Sequence, residues 1–406
     1  MADALRITAE EKAILTGEQG PGAKKAMEIV VALAKIYGAT DLVQIASAQV
    51  SGVSFKNLGQ AGLEFLQDWG AMGGRARVPS TLNPAGADLE AWREMGFPEE
   101  FVCQQRAVID AYVALGVAPT LTCTPYQTGN TPTYGQHLAW AESSAVAYAN
   151  SVLGARTNRE GGPSALAAAI VGRTARFGLH LDLGRQPASV FDVRCPIRSE
   201  ADLGALGILI GRQMRNRVPY LGFAEELPPR CDLKTLGAAM AASGAVGLYH
   251  VEGLTPEARL GAVTTAGLPV VTVDGLDAGY RLLDGTPTEI DLVSIGCPHA
   301  SLPEIAAMAD SLDGRRLRTE LWVTTARPIR EAAAAAGLVA RIEASGGKVV
   351  ADTCLVVAPV AAFGFRAMAT NSAKMAFYTP AHSGLAVRFG SLEQCVEAAL
   401  TGRWKP

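Results

Sequence analysis

The chain has 406 residues, 49% hydrophobic and 18% charged, so it can bury more than one core and is expected to divide into two or three domains. A formal net charge of -3, a pI near 6.0 and no basic run exclude a nucleic-acid surface that tracks phosphates and leave small metabolites as the expected partners. Acidic residues in MADALRITAEEKAILTGEQG stand where a secretory signal would be basic, and no stretch is apolar for the roughly 20 residues of a membrane helix, so a cytoplasmic protein is expected.

In chain order, Thr8 is placed to cap a helix over AEEKAIL, and KKAMEIVVALAKIYG predicts a second helix after the breaker run Gly17 to Gly22. DLVQIASAQVSGVSF reads as a short apolar strand feeding a Gly and Ser turn, a junction where backbone amides can face a ligand. The apolar runs APTLTC, AVGLYHV, LPVVTV, DLVSIGC, RTELWVTT and KVVADTCLVV then alternate with alanine-rich helical stretches. That alternation predicts parallel strands with crossover helices, hence an α/β fold with parallel or mixed sheets flanked by helices. Weak boundaries near 184–200 and 225–232 suggest an N-terminal α/β region over 1–190, a middle one over 191–295 and a C-terminal one over 296–406.

Seven cysteines, an odd count at long spacings, fit reduced thiols better than a disulfide framework. Cys123, Cys297 and Cys354 each close an apolar run and enter a polar or turn-forming segment, where ligands gather in open parallel sheets. Thiolates converging from separate loops would be soft ligands for iron or zinc. The competing reading is a buried cysteine acting as a small hydrophobe, and no CxxC pair marks a zinc knuckle or ferredoxin. Cys103, Cys195, Cys231 and Cys395 lack this context and read as packing residues.

The motifs SGVSFKNLG at 51–59, TLNP at 81–84, TCTPY at 122–126 and GQHLAWAESSAVAYANSVLGARTNREGGPSAL, followed by GCPHAS at 296–301, ADTC at 351–354 and TNSAKMAFY at 370–378, resemble the aconitase X family over nearly the whole chain. The resemblance implies three catalytic-core domains spanning 1–406 and an iron centre with Cys123, Cys297 and Cys354 as ligands, either an iron–sulfur cluster, 2Fe-2S foremost, or mononuclear iron. The superfamily's swivelling fourth domain finds no room in the 28 residues after Tyr378, so a separate small subunit is expected to supply it, giving a heterodimer.

By the same resemblance, Gly52, Val53 and Ser54 form a substrate loop, Asn83 and Pro84 a second one, and Glu142, Ser143, His299 and Lys374 contact substrate. Glu142, Ser143 and Lys374 are the expected catalytic residues, with Glu142 either a proton carrier or a recognition group and Lys374 the anion binder. Each has a plainer alternative: glycine and asparagine turns, an acid at a helix N-terminus, a satisfied structural histidine and a solvated lysine. Asn158, Arg159 and Glu160 read as capping or supporting residues ahead of a helix near Ser164.

The activity implied is iron-dependent removal of water from a hydroxy acid, which needs a Lewis acid for the departing hydroxide, a base for the adjacent proton and a closed site. The sequence favours cis-3-hydroxy-L-proline going to 1-pyrroline-2-carboxylate, because the motifs offer few cations beyond Lys56, Arg159 and Lys374 for the phosphate of the alternative substrate, mevalonate 5-phosphate. A third reading of another class, a non-catalytic iron-sensing or RNA-binding protein, is opposed by the acidic pI.

Overall fold

The computed structural model describes residues 5–229 and 231–405. Thr8 caps the helix Ala9–Thr16 with a reciprocal capping box, its hydroxyl accepting from the Glu11 amide while the Glu11 carboxylate accepts from the Thr8 amide. The helix Pro21–Ile36 follows, burying Met27, Val30 and Val31.

The first region holds the strands β1 (Leu42–Gln44), β2 (Ala48–Val50), β3 (Ser80–Leu82), β4 (Ala139–Trp140) and β5 (Arg173–Ala175). A parallel sheet runs β3-β2-β4, while β1 and β5 form a separate antiparallel pair. Helices Phe55–Ala71, kinked at Gly59, and Glu99–Ala114 pack here around Leu66, Trp69, Val108 and Leu82.

The second region is a parallel sheet of β6 (Ser189–Val193), β7 (Pro219–Phe223), β8 (His250–Val251) and β9 (Val270–Val273) in the order β8-β7-β6-β9. Its helices Glu200–Met214 and Leu233–Gly244 meet backbone to backbone: a Cβ on Gly244 would fall 1.8 Å from the Gly211 carbonyl oxygen. Only glycine permits that approach.

The third region carries β10 (Leu292–Ala300), β11 (Glu320–Thr325), β12 (Lys348–Ala351), β13 (Ala367–Thr370) and β14 (Ala386–Phe389), all parallel in the order β12-β11-β10-β13-β14. Alternate residues feed two cores: Leu292 and Trp322 pack on one side, Val293, Ile295, Leu321 and Val323 on the other. Both faces are covered, as a parallel sheet requires. The α/β architecture expected from the alternating pattern is therefore present.

One expected strand is not. APTLTC makes a single bridge, Thr81 to Ala118, and then leaves regular pairing, because Pro119 has no amide to donate and Leu121 takes a left-handed φ of 47°. Cys123 thus follows an irregular segment held beside β3 by the Thr122 amide on the Leu82 carbonyl at 3.1 Å.

Candidate active site

The carboxyl ends of parallel strands converge on one place. β2 runs into Gly52–Ser54, β3 into Asn83 and β4 into Glu142. From the third region, β10 carries Cys297 near its end, where its register against β11 shifts between Ile295 and Ala300. β12 leads to Cys354, and β13 leads to Ser372 and Lys374. This is the edge where ligands bind in open parallel sheets.

Glu142 is the cap of the helix Ser143–Ser151, its carboxylate accepting from the Ser144 amide, so the plain helix-terminus role and the site role coincide. Asn83 Nδ2 donates to Glu142 Oε2 at 2.8 Å, and the hydroxyls of Ser143 and Ser144 reach Oε1 at 3.4 and 3.0 Å. Lys374, from the first turn of Ala373–Ser383, forms an ion pair with the same carboxylate across 232 residues of chain, and both side chains are 12% exposed. Burial pushes the Glu142 carboxyl up, but the charge of Lys374 and the hydrogen bonds from Lys374, Asn83 and Ser144 prevail and hold it at about 2. Lys374, opposed by burial, is pulled further up by Glu142 and by the thiols of Cys297 and Cys123.

The three expected thiols surround this pair. Burial pushes all of them up, Cys297 to about 12, while the ammonium of Lys374 draws each one down. Cys123 also feels Cys297, and Cys297 feels Cys354, so the three share one electrostatic neighbourhood. The His299 amide donates to Cys123 Sγ at 3.2 Å, and Ser372 Oγ donates to the Cys297 carbonyl. Gly296 ahead of Cys297 has φ 97°, and a Cβ there would stand 2.1 Å from the Thr324 carbonyl oxygen.

The remaining expected residues are brought to the same place in different ways. Gly52 has φ 81° and open space where a Cβ would be, which leaves its backbone approachable. Val53 and Ser54 are buried, with Ser54 Oγ donating to the Val357 carbonyl just past Cys354. Pro84 is buried next to Ala85, whose carbonyl accepts from the Cys354 amide at 3.0 Å. The His299 ring is fully engaged: Nε2 donates to the Thr353 carbonyl at 2.9 Å, which leaves Nδ1 to accept from the Thr122 hydroxyl at 3.0 Å. Burial lowers its pKa to about 4, so the imidazole is neutral and ties the Cys123 and Cys354 segments together with no ring nitrogen free. Asn158 and Glu160 lie apart from this group: Asn158 binds the Leu179 amide and the Phe177 carbonyl, and Glu160 accepts from Ser164 and Thr174.

Sequence reasoning missed two glutamines. Gln49 is fully buried in β2, donating to Asn83 Oδ1 at 3.0 Å and accepting from the Glu142 amide at 2.8 Å, so it sets both groups. Gln105 holds the loop Gly52–Ser54, donating to the Val53 carbonyl at 2.8 Å and accepting from the Gly86 amide at 3.0 Å. A glutamine inside an apolar strand or on a buried helix face was the available signal.

Family models described as the Aconitase X first, second and third domains match residues 4–183, 187–278 and 290–401. The chain belongs to the aconitase X family. It is 51% identical to the phosphomevalonate dehydratase large subunit of Methanothermobacter thermautotrophicus over 377 residues, covering 92% of this chain and 94% of that one. The cis-3-hydroxy-L-proline dehydratase of Pseudomonas aeruginosa is 38% identical over 417 residues, covering 98% of this chain and 70% of that one. The solved holo-form of Thermococcus kodakaraensis aconitase X superposes with a TM-score of 0.90 at 45% identity, over 97% of this chain and all of that one. The named relatives are dehydratases, and this chain is a hydro-lyase of the same family.

For iron, the donor chemistry fits: three thiols from three loops, Cys123 buried and Cys297 and Cys354 half-buried, in one field and facing one ammonium, are soft ligands of the type iron and iron–sulfur groups take. As they stand, no three His, Cys, Asp or Glu side chains among the described residues are drawn together tightly enough to hold a metal ion. Among the same residues no helix is long and apolar enough to cross a membrane.

Proposed function

We propose that this chain is the large subunit of a phosphomevalonate dehydratase, working with a separate small subunit in the cytoplasm. The observation that carries the reading is the pattern of identities: 51% and 45% to archaeal phosphomevalonate dehydratase large subunits matched over 94% and 99% of their lengths, against 38% to a hydroxyproline dehydratase matched over 70% of its length. It outweighs the preference for cis-3-hydroxy-L-proline drawn from the few cations in the motifs, which becomes the second reading.

In the proposed reaction the 3-hydroxyl of mevalonate 5-phosphate leaves as water with a proton from the carbon beside the carboxylate, giving the unsaturated acid. Cys123, Cys297 and Cys354 would hold the iron group, 2Fe-2S or mononuclear, which when bound supplies Lewis-acid help to the departing hydroxide. Lys374 stays an ammonium and receives the substrate carboxylate. Sharing its charge with that anion loosens its hold on Glu142, whose burial then raises its affinity for the proton it accepts. Asn83 keeps the Glu142 carboxylate aimed, Ser143 and Ser144 stabilise its charge, and the backbone of Gly52, Val53 and Ser54 lines the substrate's approach. His299 acts by positioning Cys123. The small subunit would close the site against water.

The test is anaerobic co-expression with the small subunit, iron and sulfide quantification, and dehydration assays on mevalonate 5-phosphate beside cis-3-hydroxy-L-proline. Turnover of the phosphate ester, with iron lost when Cys123, Cys297 or Cys354 becomes Ser, is the expected result. Turnover of the proline alone would overturn the substrate assignment and leave the family untouched.

A further inference from the structure

Of the cations drawn to the thiol loops and their supports, three are neutralised by acids among the described residues. Lys374 is paired with Glu142, buried Lys234 with Glu304, and Arg327 with Asp88, Glu90 and Asp352. Lys56, two residues past Ser54 in the first turn of Phe55–Ala71, differs from these. Its ammonium donates to the carbonyls of Ala358 at 3.1 Å and His382 at 3.4 Å, both neutral acceptors, and no acid pairs with it among the described residues. The charged group it feels is Cys354, and partial desolvation lowers its pKa without a carboxylate to offset the effect.

Lys56 is also at the right depth. Gly52 and Lys56 are exposed, whereas Val53 and Ser54 between them are buried, so the loop dips into the interior and returns to the rim at Lys56. A substrate with an anion at each end would place its carboxylate on buried Lys374 and its other charge at the open edge. Two carbonyls hold the ammonium in place and leave one of its three N–H donors free.

Building on the phosphomevalonate reading, we propose that Lys56 binds the distal phosphate of the substrate and so selects a phosphorylated hydroxy acid over a cyclic amino acid that lacks a second anion. With no carboxylate paired to it among the described residues, this ammonium keeps charge to offer the phosphate of such a substrate. Lys56 is then a specificity-determining residue, acting on binding rather than on the proton transfer at Glu142.

The experiment uses the iron-loaded two-subunit complex, wild type and with Lys56→Met or Lys56→Arg. It measures KM for mevalonate 5-phosphate, the dissociation constant of inorganic phosphate by calorimetry, and Tm. A charge-assisted contact of this kind predicts that Lys56→Met weakens both phosphate constants by about tenfold or more and that Lys56→Arg restores most of the loss. A strap joining the helix to Ala358 and His382 and nothing more would lower Tm or kcat and leave the phosphate constant unmoved, which overturns the proposal while the phosphomevalonate reading stands. A wild-type complex that dehydrates cis-3-hydroxy-L-proline and does not turn over the phosphate ester sinks that reading, and this inference with it.

Discussion

Replacing Lys374 with Met removes the one ammonium that faces Glu142 and all three thiols. The Glu142 carboxyl sits at about 2 against an ordinary 4.5, a gap that corresponds to about 3 kcal/mol of stability at neutral pH. Breaking a buried pair by removing one partner typically costs about 3–5 kcal/mol, so two routes agree on the scale. A carboxyl depressed by folding contributes fully above 4.5, and that contribution fades as pH falls through about 2. In the variant, burial, the largest single influence, faces only the hydrogen bonds from Asn83 and Ser144 and prevails, so the carboxyl rises above its ordinary value and the sign inverts: stability is greatest at low pH and declines as pH rises through the new value. Urea unfolding of the metal-free, reduced chain, followed by tryptophan fluorescence at pH 5 and 8, reads both effects. The expected result is a loss of about 3 kcal/mol at pH 8 that shrinks at pH 5, with most of it recovered in the double variant Lys374→Met, Glu142→Gln. A variant within about 1 kcal/mol of wild type, with a parallel pH profile, would refute the pairing as the organiser of the site.

Gln49→Leu strips Glu142 and Asn83 of a partner each and is expected to cost roughly 2–4 kcal/mol and to lower kcat of the complex about tenfold; unchanged kcat would remove Gln49 from any positioning role. Gly296→Ala forces a Cβ against the Thr324 carbonyl oxygen at φ 97°, so the loop with Cys297 must shift, and iron content per complex should drop while Cys103→Ala, at an exposed thiol, serves as the unaffected control. The buried His180 and half-buried His137, with ring nitrogens 2.9 Å apart, are held neutral: burial takes His180 to about 3 and lowers His137 as well. The unfolded chain takes up the His180 proton below about 6.5, so stability should fall with acid from there towards 3, by up to about 1.4 kcal/mol per pH unit; His180→Asn should flatten that slope in urea titrations.

Much of this was readable in residues whose role is local. Thr8 and Glu11 are three apart and form the box their spacing demands, and the alternating apolar runs became parallel strands because continuous Val, Ile and Leu suit a sheet covered on both faces. APTLTC failed because Pro119 and the φ of Leu121 interrupt pairing within an otherwise apolar run. The glutamines were hidden for a different reason. What Gln49 does depends on Asn83 and Glu142, which the chain brings to it only after folding. The proposed change of substrate turns on the same kind of contact: a count of Lys56, Arg159 and Lys374 takes no account of which of them an acid pairs with. That pairing, between positions 142 and 374, is invisible along the chain.

The order of the thiol loops rests on bonds between regions. Cys354 donates its amide to Ala85, Ala85 donates to Asp352, Ser54 holds the Val357 carbonyl, and His299 joins Thr122 to Thr353. Arg327 adds charge to this seam, bridging Asp88 of the first region and Asp352 of the third, while Asp88 also accepts the Ala351 amide. Most of these contacts end on backbone groups, so side-chain identity constrains them weakly and the relative placement of the two sheets constrains them strongly. The first region alone would therefore present Cys123 without its companions, and the third would present Cys297 and Cys354 without the glutamate that Lys374 needs. A site assembled in this way forms only once both sheets have docked. Its electrostatics follow from that docking, since the low pKa of Glu142 and the raised pKa of Lys374 each depend on a residue from the other region.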